Sequence, residues 1–96
     1  MKEREYLLLL YEIYGDLLTD KEKDFFENYY FEDLSLQEIA DNYEVSRAYV
    51  GKMVKGIQNK LNNYESILKI NEKNDKIKKI ISSLDEKTKN KIEEIL

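Results

Sequence analysis

The sequence predicts an all-α protein built around a helix-turn-helix. Three observations indicate this class. The 96 residues include no proline and only three glycines, so little interrupts a helix. Apolar residues recur at helical spacing, and capping-box patterns mark several helix starts. Charged residues make up 38% of the chain, which is typical of exposed helix faces, and the length suggests one modest hydrophobic core.

The first predicted helix covers residues 3–18 and is apolar on nearly all sides. Such a helix needs burial on more than one side. Either the C-terminal segment or a second subunit covers it, or it is the central core helix of a monomer. Its apolar residues are Tyr6, Leu7, Leu8, Leu9, Leu10, Tyr11, Ile13, Tyr14, Leu17 and Leu18.

The second predicted helix begins after Thr19, which forms a capping box with Glu22, and runs to about Phe31 or Glu32. Its aromatic residues lie at positions i, i+1, i+4 and i+5. Exposed aromatics at this spacing could stack on bases, but packing in the core is the favoured interpretation. These residues are Phe25, Phe26, Tyr29 and Tyr30.

A helix-turn-helix follows over residues 35–54. Ser35 and Glu38 form a second capping box, and Ser46 offers an N-cap for the next helix. Residues 42–44 form the turn, where Asn42 or Glu44 takes an unusual backbone angle. The second helix of this motif typically enters the major groove of DNA.

The helix that starts at Arg47 extends to about Leu68 and has two different faces. The apolar side, which docks on the body, holds Tyr49, Val50, Met53, Val54, Ile57, Leu61, Tyr64 and Leu68. Small residues on the other side permit close approach to a groove, basic ones neutralise phosphates, and Arg or amide side chains donate to base edges. The candidate nucleic-acid contacts are therefore Ser46, Arg47, Ala48, Gly51, Lys52, Lys55, Gln58 and Asn59.

We expect a helix-turn-helix domain over residues 1–70 and a helical tail over residues 71–96. The polar stretch at 71–75 predicts a break or hinge. Beyond it, Ile77, Ile80, Ile81 and Leu84 give helical spacing, and Ser83 with Glu86 resembles another capping box, with a last helix starting near Leu84. Helices this short must dock on the body or on a second subunit.

Charge and residue types exclude most enzyme classes. The chain has no cysteine and no histidine, which removes thiolate chemistry, histidine bases and the common zinc sites. No phosphate loop or catalytic carboxylate pair is recognisable. We therefore expect no enzyme activity, no cofactor and no metal. With no apolar run long enough for a membrane span and no signal peptide, we expect a cytoplasmic protein without membrane insertion.

The net charge of −4 hides a division within the chain. Residues 1–46 hold 4 basic and 13 acidic side chains, whereas residues 47–96 hold 12 basic and 7 acidic ones. Positive charge begins at the second helix of the helix-turn-helix. This arrangement permits nucleic-acid contact on one face, although a lysine-rich solvated surface explains the composition equally well.

Several motifs resemble the YlxM family of small bacterial helical proteins. The strongest are Tyr-Tyr-Phe-Glu-Asp-Leu-Ser-Leu-Gln-Glu-Ile-Ala at residues 29–40 and Val-Ser-Arg at 45–47, and the resemblance covers about residues 5–70. It implies a helix-turn-helix similar to region 4 of sigma factors, binding to the RNA and the GTPase of the signal recognition particle, and a homodimer formed through C-terminal helices. By position it assigns nucleic-acid contacts to Ser46, Arg47, Lys52 and Lys55. The sequence departs from the family pattern at Gly51 and Gly56.

Three functions follow as hypotheses. The first is a non-enzymatic accessory factor of the signal recognition particle that contacts its RNA or its GTPase. The second is a sequence-specific, dimeric DNA-binding regulator. The third is a protein–protein adaptor that uses the sigma-like fold without nucleic acid and presents its acidic half to a basic partner.

Overall fold

A computed structural model describes residues 3–96 and shows an all-α architecture, as the sequence predicts. No strand occurs within this range, and residues 1 and 2 of the predicted domain lie outside it. A 3₁₀ turn at Gly15–Leu17 joins the first two helices. The α-helices are α1 (Glu3–Tyr14), α2 (Asp20–Tyr30), α3 (Leu36–Tyr43), α4 (Arg47–Leu68), α5 (Ile70–Ile81) and α6 (Glu86–Glu93).

The long helix α4 is the centre of the fold, because α1, α2 and α3 all pack against it. The predicted core role of the α2 aromatics is confirmed: Phe25, Phe26 and Tyr30 are buried, and Tyr29 is half-buried. The core cluster consists of Leu7, Leu10, Tyr14, Leu18, Phe25, Phe26, Tyr30, Ile39, Ala40, Val50, Val54, Ile57 and Leu61.

The first helix is shorter than predicted and ends at Tyr14 rather than at residue 18. The reason lies in the next helix. Leu18 must be extended (ψ 156°) to reach the core and to bring Thr19 into its capping position, so the chain leaves the α-helix at Gly15. Burial of α1 is also incomplete. Both α4 and α5 pack against it, yet Leu9 remains 36% exposed.

The helix-turn-helix forms with the predicted caps. The Glu38 N–H donates to Ser35 Oγ (3.1 Å), the Ser35 N–H donates back to Glu38 Oε1 (3.0 Å), and the Tyr49 N–H donates to Ser46 Oγ (3.0 Å). The predicted turn at 42–44 is wrong by two residues, since Asn42 and Tyr43 remain in α3.

Tyr43 stays helical because its ring stacks on Phe25, with 4.7 Å between centroids, and its hydroxyl accepts a hydrogen bond from Asn28 Nδ2. Of the two residues predicted to carry the unusual angle, Glu44 adopts it, in the left-handed region (φ 56°).

The predicted break at residues 71–75 is wrong, because these residues lie inside α5. The chain bends at Lys69, which adopts a left-handed conformation (φ 54°) between α4 and α5. Glu65 explains why the chain bends at Lys69. Its carboxylate accepts hydrogen bonds from the N–H groups of Asn71 and Glu72, both at 3.0 Å, and so caps the start of α5 from the preceding helix.

The last helix begins at Glu86 rather than near Leu84, and its cap is Asp85 rather than Ser83. Ser83 Oγ instead donates to the carbonyl of Ile80, while Asp85 accepts from the Thr88 N–H (2.9 Å).

The tail docks only in part: α5 packs against α1 and α4, and α6 packs against α5. None of the helices within residues 3–96 is long and apolar enough to cross a membrane.

Candidate nucleic-acid interface

The turn before α4 sets the direction in which that helix leaves the body. The N–H of Val45 donates to the carbonyl of Ala40 (3.0 Å), and the Glu44 N–H also returns to the end of α3. Val45 is half-buried, which ties the turn to the core. With Val50 and Val54 buried, α4 presents its opposite side to solvent from its first turn onward.

We define the outward face of α4 as the exposed residues Arg47, Ala48, Lys52, Lys55 and Asn59. Helical spacing places Ala48, Lys52, Lys55 and Asn59 on the side of the helix away from its buried stripe, and Arg47 is exposed at the first residue of the helix. None of the ion pairs within residues 3–96 involves the three cations of this set. These charges are therefore available to an anionic partner.

Acidic side chains are nearly absent from α4, so little negative charge on this helix offsets the cations of the outward face. The helix carries four basic residues, Arg47, Lys52, Lys55 and Lys60, and one acidic residue, Glu65. Glu65 points inward: it is only 8% exposed, and its Oε1 accepts a hydrogen bond from the Tyr14 hydroxyl (2.7 Å). No carboxylate of α4 therefore opposes phosphate binding on the outward face.

Two predicted contacts lie elsewhere. Gln58 is half-buried, and its side-chain amide donates a hydrogen bond to the hydroxyl of Tyr30 on α2. Gly51 is also half-buried, and a Cβ added there would lie 3.7 Å from Cδ1 of Leu36 on α3. The structure thus separates Gln58 and Gly51 from the outward face. Ser46 is exposed, but its hydroxyl is used as the cap of α4.

A basic residue that sequence reasoning missed lies beside this face. Lys21 Nζ on α2 donates to the hydroxyl of Tyr49 (2.8 Å) and lies 5.1 Å from the centroid of its ring. Tyr49 is a helical neighbour of Lys52, three residues along α4. The sequence offers no signal for this pairing, since 28 residues separate Lys21 from Tyr49.

The charge of Lys60, by contrast, is already neutralised. Its Nζ donates to Glu22 Oε2 on α2 (2.6 Å), and this bond raises the pKa of Lys60.

Within residues 3–96, no cluster of His, Cys, Asp or Glu side chains could hold a metal ion. The chemistry that the outward face offers is therefore electrostatic and hydrogen-bonding contact with an anion-rich surface.

Comparison with known proteins identifies a family match along the whole chain. Residues 1–96 match the family UPF0122, described as “Putative helix-turn-helix protein, YlxM / p13 like”. A UPF0122 protein of Desulforamulus reducens is 40% identical over 89 residues, which cover 88% of this chain and 76% of that protein.

Two further relatives bear the same family name. A UPF0122 protein of Ureaplasma urealyticum is 43% identical over 74 residues, covering 77% of this chain and 75% of that protein. One from Clostridium acetobutylicum is 42% identical over 84 residues, covering 84% and 72%. The fold, the helix-turn-helix and these matches agree, and the chain belongs to the UPF0122 family of YlxM/p13-like helix-turn-helix proteins.

Proposed function

We propose that this protein is a non-enzymatic, cytoplasmic accessory factor of the signal recognition particle, and that the outward face of α4 binds the particle's RNA. The observation that carries the proposal is the set of unpaired cations on that face, Arg47, Lys52 and Lys55, on a helix whose acidic residue points inward. The choice of the particle is supported by the YlxM resemblance of residues 29–47.

The geometry favours contact with a nucleic-acid backbone over reading of bases. Base edges are read by Arg, Asn and Gln side chains in bidentate contacts. Of the candidates for that role, Gln58 is bound to Tyr30, which leaves Arg47 and Asn59 on the outward face. Structured RNA is recognised mainly through its shape and phosphates, so a few unpaired cations suit it better than they suit sequence-specific DNA recognition.

Binding of the purified particle RNA, followed by fluorescence anisotropy, tests this proposal. The double variant Lys52→Glu with Lys55→Glu should weaken binding about tenfold or more, because two phosphate contacts become repulsive. The matched control is Lys73→Glu with Lys87→Glu, which changes two exposed lysines of the tail by the same charge. Raising the salt concentration should weaken wild-type binding with a log–log slope of roughly −0.7 to −0.9 per contact.

If the α4 variant and the tail variant lose RNA affinity equally, the assignment of the RNA contact to α4 is wrong. Two other results would favour the other hypotheses. Enrichment of a paired motif from random DNA duplexes would indicate a transcriptional regulator. Retention of the particle's GTPase that survives Arg47→Ala with Lys55→Ala, without RNA binding, would indicate a protein adaptor.

The homodimer implied by the resemblance is part of the proposal, with the exposed apolar side chains of the tail as its contact.

A further inference from the structure

An apolar groove lies on the side of α1 that faces away from the core. It is bounded by the end of α2 and has a volume of about 590 Å³. Apolar and aromatic side chains form most of its surface, and carboxylates stand at its edge. The lining residues are Glu5, Leu8, Leu9, Tyr11, Glu12 and Phe31.

The floor of this groove packs against the aromatic residues of α2. The ring of Tyr11 stacks on Phe26, with 4.1 Å between centroids and 12° between planes, and its hydroxyl donates to a carboxylate oxygen of Glu27. Phe31 lies 5.9 Å from the Tyr11 ring at a tilt of 59°. Phe31 nevertheless remains 54% exposed. A preformed apolar floor that still faces water is typical of a binding groove, because little ordering is needed when a partner arrives.

The rim of the groove is acidic. Glu5 and Glu12 are seven residues apart on α1, which places them two turns apart on one side of the helix, about 10 Å along its axis. Both are exposed, and no ion pair within residues 3–96 involves either of them. They belong to the half of the chain in which 13 acidic side chains outnumber 4 basic ones.

This combination defines the chemistry of the occupant. An apolar stripe that fits over Leu8, Leu9 and Phe31, with Lys or Arg side chains on its flanks to meet Glu5 and Glu12, is the pattern of a basic amphipathic helix. A second copy placed with α1 against α1 would instead bring the same carboxylates together, which is unfavourable. We propose that this groove binds a basic amphipathic helix of a partner protein. The site is separate from the outward face of α4 and does not depend on RNA binding.

A designed peptide probes the groove directly. It has about 18 residues, or five helical turns, with leucines at i, i+3, i+4 and i+7 and lysines elsewhere; a comparison peptide replaces every lysine by glutamate. The full chain should bind the lysine peptide at a salt concentration of about 0.15 M, and should not bind the glutamate peptide. Nuclear magnetic resonance shift changes should centre on Leu8, Leu9 and Phe31.

Variants separate the groove from general charge attraction. Glu5→Lys with Glu12→Lys should weaken peptide binding about tenfold. Asp41→Lys with Glu44→Lys makes the same change in net charge at the end of α3 and in the turn after it, and should leave binding within about twofold. For the apolar part, Phe31→Ala should weaken binding several-fold. Its control, Leu17→Ala, removes a side chain of similar exposure (57%) and should have no effect.

Several outcomes would overturn the proposal. Equal weakening by Asp41→Lys with Glu44→Lys, or binding of the glutamate peptide, would show that the groove does not select its ligand. Shift changes on the outward face of α4 would place the peptide elsewhere. If sedimentation shows a dimer that Glu5→Lys with Glu12→Lys dissociates, the occupant is a second copy rather than a partner protein.

Discussion

Glu22 shows how one side chain can both cap its own helix and bind a residue of another helix. It is 8% exposed, and Oε1 accepts from the Thr19 N–H (2.9 Å) while Oε2 accepts from Lys60 Nζ. Burial by itself raises the pKa of Glu22, but the hydrogen bonds from Lys60 and Thr19 outweigh it, so the pKa lies below its ordinary value. The capping box is readable from residues 19–22, whereas the contact with Lys60 spans 38 residues and is not.

Replacing Glu22 by Gln should reduce stability at neutral pH and should matter less in acid. Because the pKa of Glu22 is lower in the folded than in the unfolded chain, its ionised form stabilises the fold above the unfolded value of about 4.3. That contribution is lost as the pH falls through the folded value. Urea unfolding of wild type and Glu22→Gln at pH 7 and pH 3 should show a difference that shrinks at pH 3. Gln at this position keeps the capping box, which isolates the charge. An unchanged difference at the two pH values would contradict the account.

The junction between α4 and α5 shows how one helix can be ended and the next begun without glycine or proline. Lys69 takes the left-handed angle that glycine usually supplies, and no side chain of its own caps α5. Glu65 supplies the cap from one turn earlier, and Tyr14 of α1 joins it by donating to Glu65 and accepting from the Ile70 N–H (3.1 Å). The direction of the tail therefore depends on a buried contact among three helices.

Glu65→Ala should release α5 from the body. The substitution leaves the partly buried N–H groups of Asn71 and Glu72 without their acceptor, and the loss of such a helix cap costs about 1 kcal/mol. Hydrogen exchange should accelerate through α5 and α6, while the amides of α3 and the first half of α4 keep their protection. Glu72→Ala is the control, since it removes only an exposed pair with Lys76. Unchanged exchange in α5 of the Glu65→Ala protein would show that packing alone holds the tail.

The molecule as a whole is elongated, measuring 53 × 25 × 23 Å. Its tail leaves large apolar side chains in water: Ile80 is 71% exposed and Ile95 is 84% exposed. Single exposed apolar residues are common, but several on one short segment favour an interface. This is the physical basis on which we place the proposed homodimer at the tail.

Ile80→Lys with Ile95→Lys should convert the proposed dimer into a monomer, because apposed lysines would repel and apolar burial would be lost. Sedimentation equilibrium over a range of protein concentrations measures this directly. Leu17→Lys, which also replaces an exposed apolar residue but lies in the 3₁₀ turn, should leave the dimer intact. A wild-type protein that stays monomeric at every concentration would refute the dimer.

Most features that depend on neighbouring residues were readable from the sequence, the cap of the last helix at Asp85 excepted, and features that depend on distant residues were not. The helix starts after Thr19, Ser35 and Ser46 follow from hydrogen bonds that close within three residues, so local sequence specifies them. The periodicity of α4 likewise identifies its buried stripe and the exposed positions of Lys52 and Lys55, because both are properties of one helix.

Tertiary contacts decided the rest. Gln58 appears on the polar side of α4 in the sequence, yet Tyr30, 28 residues away, binds its amide. The bend at Lys69 is specified by Tyr14 and Glu65 rather than by the polar stretch that follows it. Helical periodicity shows which side of a helix is apolar, but it does not show which neighbour covers the edge of that side. Packing of separate helices settles that question, and with it the make-up of the outward face of α4 and the groove beside α1.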